Sequence, residues 1–296
     1  MVLDLFPDES FRAGLLIGTL GAAVLLLAGT RLQRLRPASV AVLAALIVLA
    51  RIDVLPGALV AALAVVAAGS LLLVDRDVPK AAWPAVWLEG AVLVAVAVGG
   101  GGPGWLDAFT IVLAFAAAGC VGSLGARPSP RGFEPILIVL TVLGVYGAVP
   151  ETDPVRVVVG ALLPAVALGL WRAPFWDRAG ASTLAALVVW AAAAGGQTRP
   201  AAVIGSAVCF GVLLVDPLVV GALPGTARAV RERGRVTRLG ALVVIHAGVV
   251  AFGSRVVGLR TSSLQAAVLG AAALLAALVA VAGIELTTRS RERRVR

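Results

Sequence analysis

An all-α, polytopic transmembrane bundle of about eleven spans is the fold class this sequence predicts, and three observations predict it. Of the 296 residues, 60% are hydrophobic and only 14% charged, and the mean hydropathy is +1.02. Soluble domains are about half apolar and a quarter charged, so this excess exceeds what one buried core absorbs. The second observation is arrangement: the apolar residues fall in runs of about the length that crosses a bilayer. The third is charge. Two clusters, Arg228, Arg231, Arg233, Arg235, Arg238 and Arg289, Arg291, Arg293, Arg294, Arg296, each follow a long apolar run. Arginine clusters beside apolar runs are retained on the cytoplasmic side.

Span 1 is expected over 13–30, with Gly14 and Gly18 spaced so that a neighbouring helix could approach; Arg31, Arg34 and Arg36 then mark the cytoplasm. Span 2, about 37–50, is short. Fourteen residues rise roughly 21 Å against a hydrocarbon core of roughly 30 Å, so either Arg51 snorkels outward or the helix continues past Arg51 and Asp53. Span 3 (54–74) ends at Asp75-Arg-Asp-Val-Pro-Lys80, and span 4 (81–98) carries Glu89. The glycine run 99–104 is a turn with no following Lys-Ser/Thr, so it is not a phosphate cradle.

Span 5 (105–124) precedes an inner loop with Pro128 and Pro130, which cannot continue a helix. Span 6 (133–149) has Glu134 in its first turn, where the helix dipole favours an anion. Spans 7 (155–171) and 8 (179–195) flank the inner loop 172–178. Span 9 (200–223) is expected to be interrupted at Asp216-Pro217, since proline removes a backbone donor. Span 10 (239–253) holds His246. Span 11 (262–286) begins with Ser262-Ser-Leu-Gln265, which suits a capping box. The acidic start, with Asp4, Asp8 and Glu9, lacks the basic region of a secretory signal, so the first run is expected to be a retained span.

Under one continuous alternation, 19 of the 25 Lys and Arg fall in cytoplasmic segments; Arg12, Arg51, Arg156, Arg199, Arg255 and Arg260 fall outside. This places the N-terminus outside and the C-terminus in the cytoplasm. The tryptophans agree, Trp83, Trp87, Trp171 and Trp176 lying towards inner span ends and Trp105 and Trp190 towards outer ends. Residues 1–296 form one integral membrane domain of the cell membrane, with 287–296 a basic cytoplasmic tail. The longest turn, 224–238, is too short for a soluble domain. Two short similarities, 36–40 with 199–203 and 72–75 with 213–216, are offset by different numbers of spans and do not define a repeat.

The composition excludes several chemistries. Cys120 and Cys209 both lie in apolar runs, which argues against a disulfide framework or zinc site. His246 is the single histidine and Lys80 the single lysine, so no catalytic triad, zincin motif or P-loop can be assembled. Asp75 and Asp77 are a pair, short of the clustered aspartates that hold magnesium and a diphosphate. No metal or cofactor is expected. The net charge of +9 reads as anionic lipid headgroup contact through Arg228, Arg231, Arg233, Arg235 and Arg238, without nucleic-acid binding.

Ionisable residues inside a bilayer are functional candidates because they are costly to keep there. Three stand out: Glu89, roughly 12 Å into span 4; His246, in mid-span; and Asp216, beside Pro217. Each has a structural alternative: a protonated Glu89 bonded to a neighbouring helix, a packed His246, an Asp216 at a helix end. Glu285, four residues before Arg289, is expected to form a helix-surface ion pair. Arg51 and Asp53 could form an outer polar rim. The leading expectation is a small secondary transporter or flippase-like carrier with Glu89, His246 and Asp216 around one pathway. The alternative is a non-catalytic integral subunit of a larger membrane assembly, with protein partners in the membrane. A lipid-linked glycan-processing enzyme comes third; an enzyme is the less favoured class. The first two separate by geometry: a carrier needs its polar residues to face one cavity, whereas a scaffold uses each on a separate neighbour.

Overall fold

The computed structural model describes residues 9–31, 133–149, 200–222 and 235–295, together with parts of 105–117 and 156–164. Among the described residues the secondary structure is helical, with no strand. Spans 2, 3, 4 and 8 lie outside them, and with them Glu89, Arg51 and Asp53.

Helix α1 is Glu9–Arg31, α2 Phe133–Ala148, α3 Pro200–Cys209, α4 Gly211–Ala222, α5 Arg235–Phe252, followed by a π-helical turn Gly253–Val257, and α6 Ser263–Val295. Two segments, Gly240–Val257 and Ser263–Thr287, are long and apolar enough to cross a membrane. The expected eleven crossings therefore rest on the sequence pattern, not on these helices alone.

Helix α1 begins four residues earlier than the apolar run, with Glu9 in its first turn, where a carboxylate complements the helix dipole. Its two spaced glycines serve as expected. A Cβ on Gly14 would overlap the backbone of Val157, and one on Gly18 that of Ala161. From the other side, a Cβ on Gly160 would come within 2.6 Å of the Phe11 carbonyl oxygen. Backbone-to-backbone approach of this kind maximises dispersion contact where lipid supplies no hydrophobic drive. Phe11 also meets Tyr146 of α2 with ring centroids 5.1 Å apart.

Helix α3 opens with Pro200, whose missing N–H is no loss at the first helical position. The expected interruption of span 9 occurs at a different place. The chain breaks at Phe210, where the amide of Phe210 bonds to Ala207 O at 3.1 Å and that of Leu214 to Phe210 O at 3.0 Å. Gly211 sits at the break, and a Cβ there would come within 2.8 Å of Val249. Pro217 instead lies inside α4, which runs on to Ala222. One missing donor is tolerated because the ladder closes around it and neighbouring helices hold the segment.

Helix α5 starts four residues before the expected span, taking in Arg235 and Arg238. At its end the amide of Gly258 bonds to Gly253 O at 2.9 Å, the wider i→i+5 ring of a π turn. Here α5 meets α3 at contact distance: a Cβ on Gly205 would lie 2.7 Å from Gly253 O, and one on Gly253 2.8 Å from Gly205 O.

Helix α6 has 33 residues. Ser262 accepts the Gln265 amide on its hydroxyl at 3.5 Å, which is the Ser half of the expected capping box. One narrow stripe is buried, Ala266, Gly270, Ala277, Val281 and Glu285. Leu269, Ala273, Ala282 and Ile284 flank it, partly buried, and the opposite side is exposed and largely apolar, with Leu264 73% and Val279 65% accessible. The helix does not end with the apolar run; it continues through the basic tail to Val295.

The core joins the last four helices. Val212, Val215 and Val219 of α4 pack with Leu242 of α5 and with Ala277 and Val281 of α6. Further along, Ala201, Ile204 and Val208 of α3 pack with Val257 and Ala266. Leu242 meets the later part of α6 and Val257 its beginning, so α5 and α6 run antiparallel.

Candidate functional site

Two polar groupings occupy this apolar core. The first is at the end where α4 finishes, α5 begins and α6 leaves the core. Arg238, in the first turn of α5, reaches across to two other helices. Its Nη2 donates to Asp216 Oδ1 of α4 at 2.5 Å, and its Nε donates to Glu285 Oε2 of α6 at 3.0 Å. The carboxylates are 6% and 8% accessible and the guanidinium 18%. A planar guanidinium with a fixed fork of donors suits this role, since two edges can serve two acceptors at once. Buried charges persist only when paired in this way.

This arrangement corrects two expectations, for Asp216 and Arg238, and adds a partner for Glu285. Asp216 does not sit at a helix break, because α4 continues through Pro217; its carboxylate is engaged by Arg238. Glu285 reaches Arg238 on another helix, a partner not expected from sequence; the side chain of Arg289, its expected i+4 partner, lies outside what is described. Arg238, assigned to lipid headgroups, points its guanidinium into the bundle. The other arginines of that assignment, Arg228, Arg231 and Arg233, lie outside the described residues; Arg235 is placed by backbone in the first turn of α5.

The second grouping lies about 12 Å further along α5, eight residues from Arg238 at roughly 1.5 Å each. His246 is fully buried. Its Nε2 is 2.9 Å from Thr141 Oγ1 and 2.9 Å from Leu137 O, both on α2. A carbonyl can only accept, so Nε2 carries the imidazole proton. The Thr141 hydroxyl lies 3.0 Å from Leu137 O and 3.2 Å from Cys209 O of α3. It donates to one of these carbonyls while its lone pairs remain open to Nε2. Nδ1 has no hydrogen-bond partner among the described residues. Gly144 makes the close approach possible: a Cβ there would lie 2.9 Å from Cys209 Sγ.

The two groupings therefore have different partners. Asp216 is tied to α5 and α6, and His246 to α2 with Thr141 bridging to α3. Both tie helices together: Asp216 and Glu285 share Arg238, and His246 bonds to Thr141 and Leu137. Glu89, which completes the sequence-predicted set, lies outside the described residues, as do Arg51 and Asp53. Thr141 was missed because a lone threonine in an apolar run carries no periodic signal. The Arg238–Glu285 pair had one: Arg238 borders span 10 and Glu285 lies at the end of span 11, and the arginine count puts both run ends on the same side. Among the described residues no group of three His, Cys, Asp or Glu could hold a metal ion.

Comparison with protein-family models, with curated proteins and with solved structures returns no match.

Proposed function

We propose that this chain is a multi-pass protein of the cell membrane, eleven spans with the N-terminus outside and the C-terminus cytoplasmic, acting as a non-catalytic integral subunit of a larger membrane assembly. The observation that carries the subunit reading is the separate use of Asp216 and His246. A carrier requires its polar residues to converge on one pathway, where substrate or ion displaces their resting partners. Here one carboxylate is held by an arginine and the imidazole by a threonine and a carbonyl, each on a different neighbour. Polar groups spent on helix–helix ties make a scaffold.

The orientation draws support from the Arg238–Glu285 bond. It sets the start of α5, beside one arginine cluster, next to the end of α6, beside the other. Both clusters then belong to one end of the bundle, as a shared cytoplasmic face requires. The exposed apolar flanks of α6 also suit lipid, which solvates leucine where water would not.

The test is extraction from native membranes in mild detergent, followed by native mass measurement and cross-linking. The expected result is a particle containing this 29.8 kDa chain and a stoichiometric second protein, with no proton-coupled uptake by the purified chain in vesicles. Coupled uptake by the purified chain alone, lost in Glu89→Gln, would overturn the subunit reading in favour of the carrier.

A further inference from the structure

Helix α5 and the π turn that ends it are two-sided. At about 100° per residue, Leu242, His246, Val250 and Gly253 fall on one side and are buried. Val244, Gly248, Ala251 and Arg255 fall on the opposite side and are exposed. Nothing stands within 4 Å of where a Cβ on Gly248 would be, and the same holds for Gly240 at the start of this side. Glycine inside a helix is less favourable than alanine. Elsewhere in this molecule it marks the approach of another backbone, as at Gly14, Gly18, Gly205 and Gly253.

The exposed side ends in positive charge. Arg255 and, just past the π turn, Arg260 are both exposed. Neither has a carboxylate partner among the described residues, and residues 253–265 contain no Asp or Glu. Arg260 donates from Nε to Val256 O at 3.1 Å, which holds its guanidinium against the turn that carries Arg255. That turn is clamped from two sides: Gly258 abuts Ala148 of α2, and Gly205 of α3 abuts Gly253 and Gly258. Two like charges held at one helix end favour an anion beside them, and a fixed pair loses little freedom when that anion arrives.

We propose that this side of α5 seats a transmembrane helix of the partner subunit, which lies along Val244, Gly248 and Ala251 and presents an Asp or Glu near its outer end to Arg255, with Arg260 beside it. Charge complementarity sets the chemistry of that helix: apolar along its length, with one carboxylate where the span ends, since guanidinium and carboxylate make strong paired bonds. The open glycine lets its backbone come close. A headgroup phosphate would meet the arginines but leaves the open glycine unexplained. The inference rests on the subunit reading above and says where the second protein attaches.

The assembly is purified from native membranes in neutral detergent, and the second protein and bound lipid per chain are counted by native mass measurement. Gly248→Leu fills the open space, and Arg255→Glu reverses the charge at its end. Each is expected to lower the retained second protein about tenfold or more. Ala271→Leu, on the exposed side of α6, is expected to leave it unchanged. Because Gly248 faces open space, the Gly248→Leu chain by itself is expected to unfold at no lower temperature than wild type, which separates lost docking from lost folding. Should it fail to fold, Arg255→Glu, at an exposed position, decides.

Full retention of the second protein in either folded variant, or equal loss in Ala271→Leu, overturns the docking face. Retention of the protein with loss of bound phosphatidylglycerol in Arg255→Glu assigns the arginines to lipid and overturns it as well. A wild-type chain that purifies with no second protein sinks the subunit reading instead.

Discussion

Arg238 joins three helices through one side chain. Its two carboxylate partners come from α4 and α6, so its removal leaves Asp216 and Glu285 facing each other's charge in a mostly buried site. Breaking such an arrangement from one side costs more than the pair contributes, because the orphaned charge has no solvent to turn to. Arg238→Gln is expected to destabilise the folded chain by on the order of 3 kcal/mol, read as a lower midpoint in denaturing-detergent titration. Adding Glu285→Gln to it is expected to recover part of the loss by removing one of the two buried negative charges. A double variant no better than the single would show that Glu285 is held chiefly by other neighbours. His246 is the contrasting case. Its Nε2–H is satisfied within α2 while Nδ1 is left bare, the arrangement of a neutral imidazole used as a donor.

At the scale of elements, glycine decides which helices touch. Gly205 and Gly253 face each other across α3 and the π turn with room for nothing larger. Gly248, five residues before Gly253, has no heavy atom within 4 Å of where a Cβ would stand. The same substitution therefore has opposite signs at the two positions. Gly205→Ala is expected to destabilise by about 1–3 kcal/mol, since backbone must move to admit the methyl. Gly248→Ala is expected to stabilise by about 0.5–1 kcal/mol through helix propensity alone. Thermal unfolding of the two variants in one detergent checks the pair. If both shift the same way, the close approach of α3 to the π turn is wrong. The π turn lies at this contact, where Gly205 presses on Gly253 and on Gly258 that closes the turn.

For the whole molecule, the register of α5 against α6 bears on which side of a bilayer each turn occupies. The bond between Arg238 and Glu285 demands that a reporter placed between residues 228 and 238 and one fused after Arg296 respond from the same compartment. An impermeant thiol reagent applied to intact cells is expected to miss single cysteines introduced at both sites and to label one introduced near Asp4. Labelling of one inner site without the other would break the antiparallel pairing of α5 and α6. Labelling at both inner sites but not near Asp4 would reverse the orientation while leaving the packing intact.

Much was legible before any coordinates. Among the described residues the apolar runs are helical, and the starts of α1, α2, α3 and α6 fall within a few residues of the run boundaries. The paired glycines of span 1 and the serine cap of span 11 were local signals, and local physics honoured them. Asp216-Pro217 was a local signal that misled: neighbouring helices carried α4 through the proline, and the break fell at Phe210 instead. The partners of Asp216, Glu285 and His246 were beyond any local rule. Each partner lies 22 to 109 residues away along the chain, and the sequence carries periodicity and charge but not the rotation of one helix about its axis relative to another. That rotation is settled by how glycines, valines and alanines interlock across the core. Among the described residues, sequence alone determined roughly where the helices begin and which ends are cationic; only tertiary packing decided which helices the polar residues join.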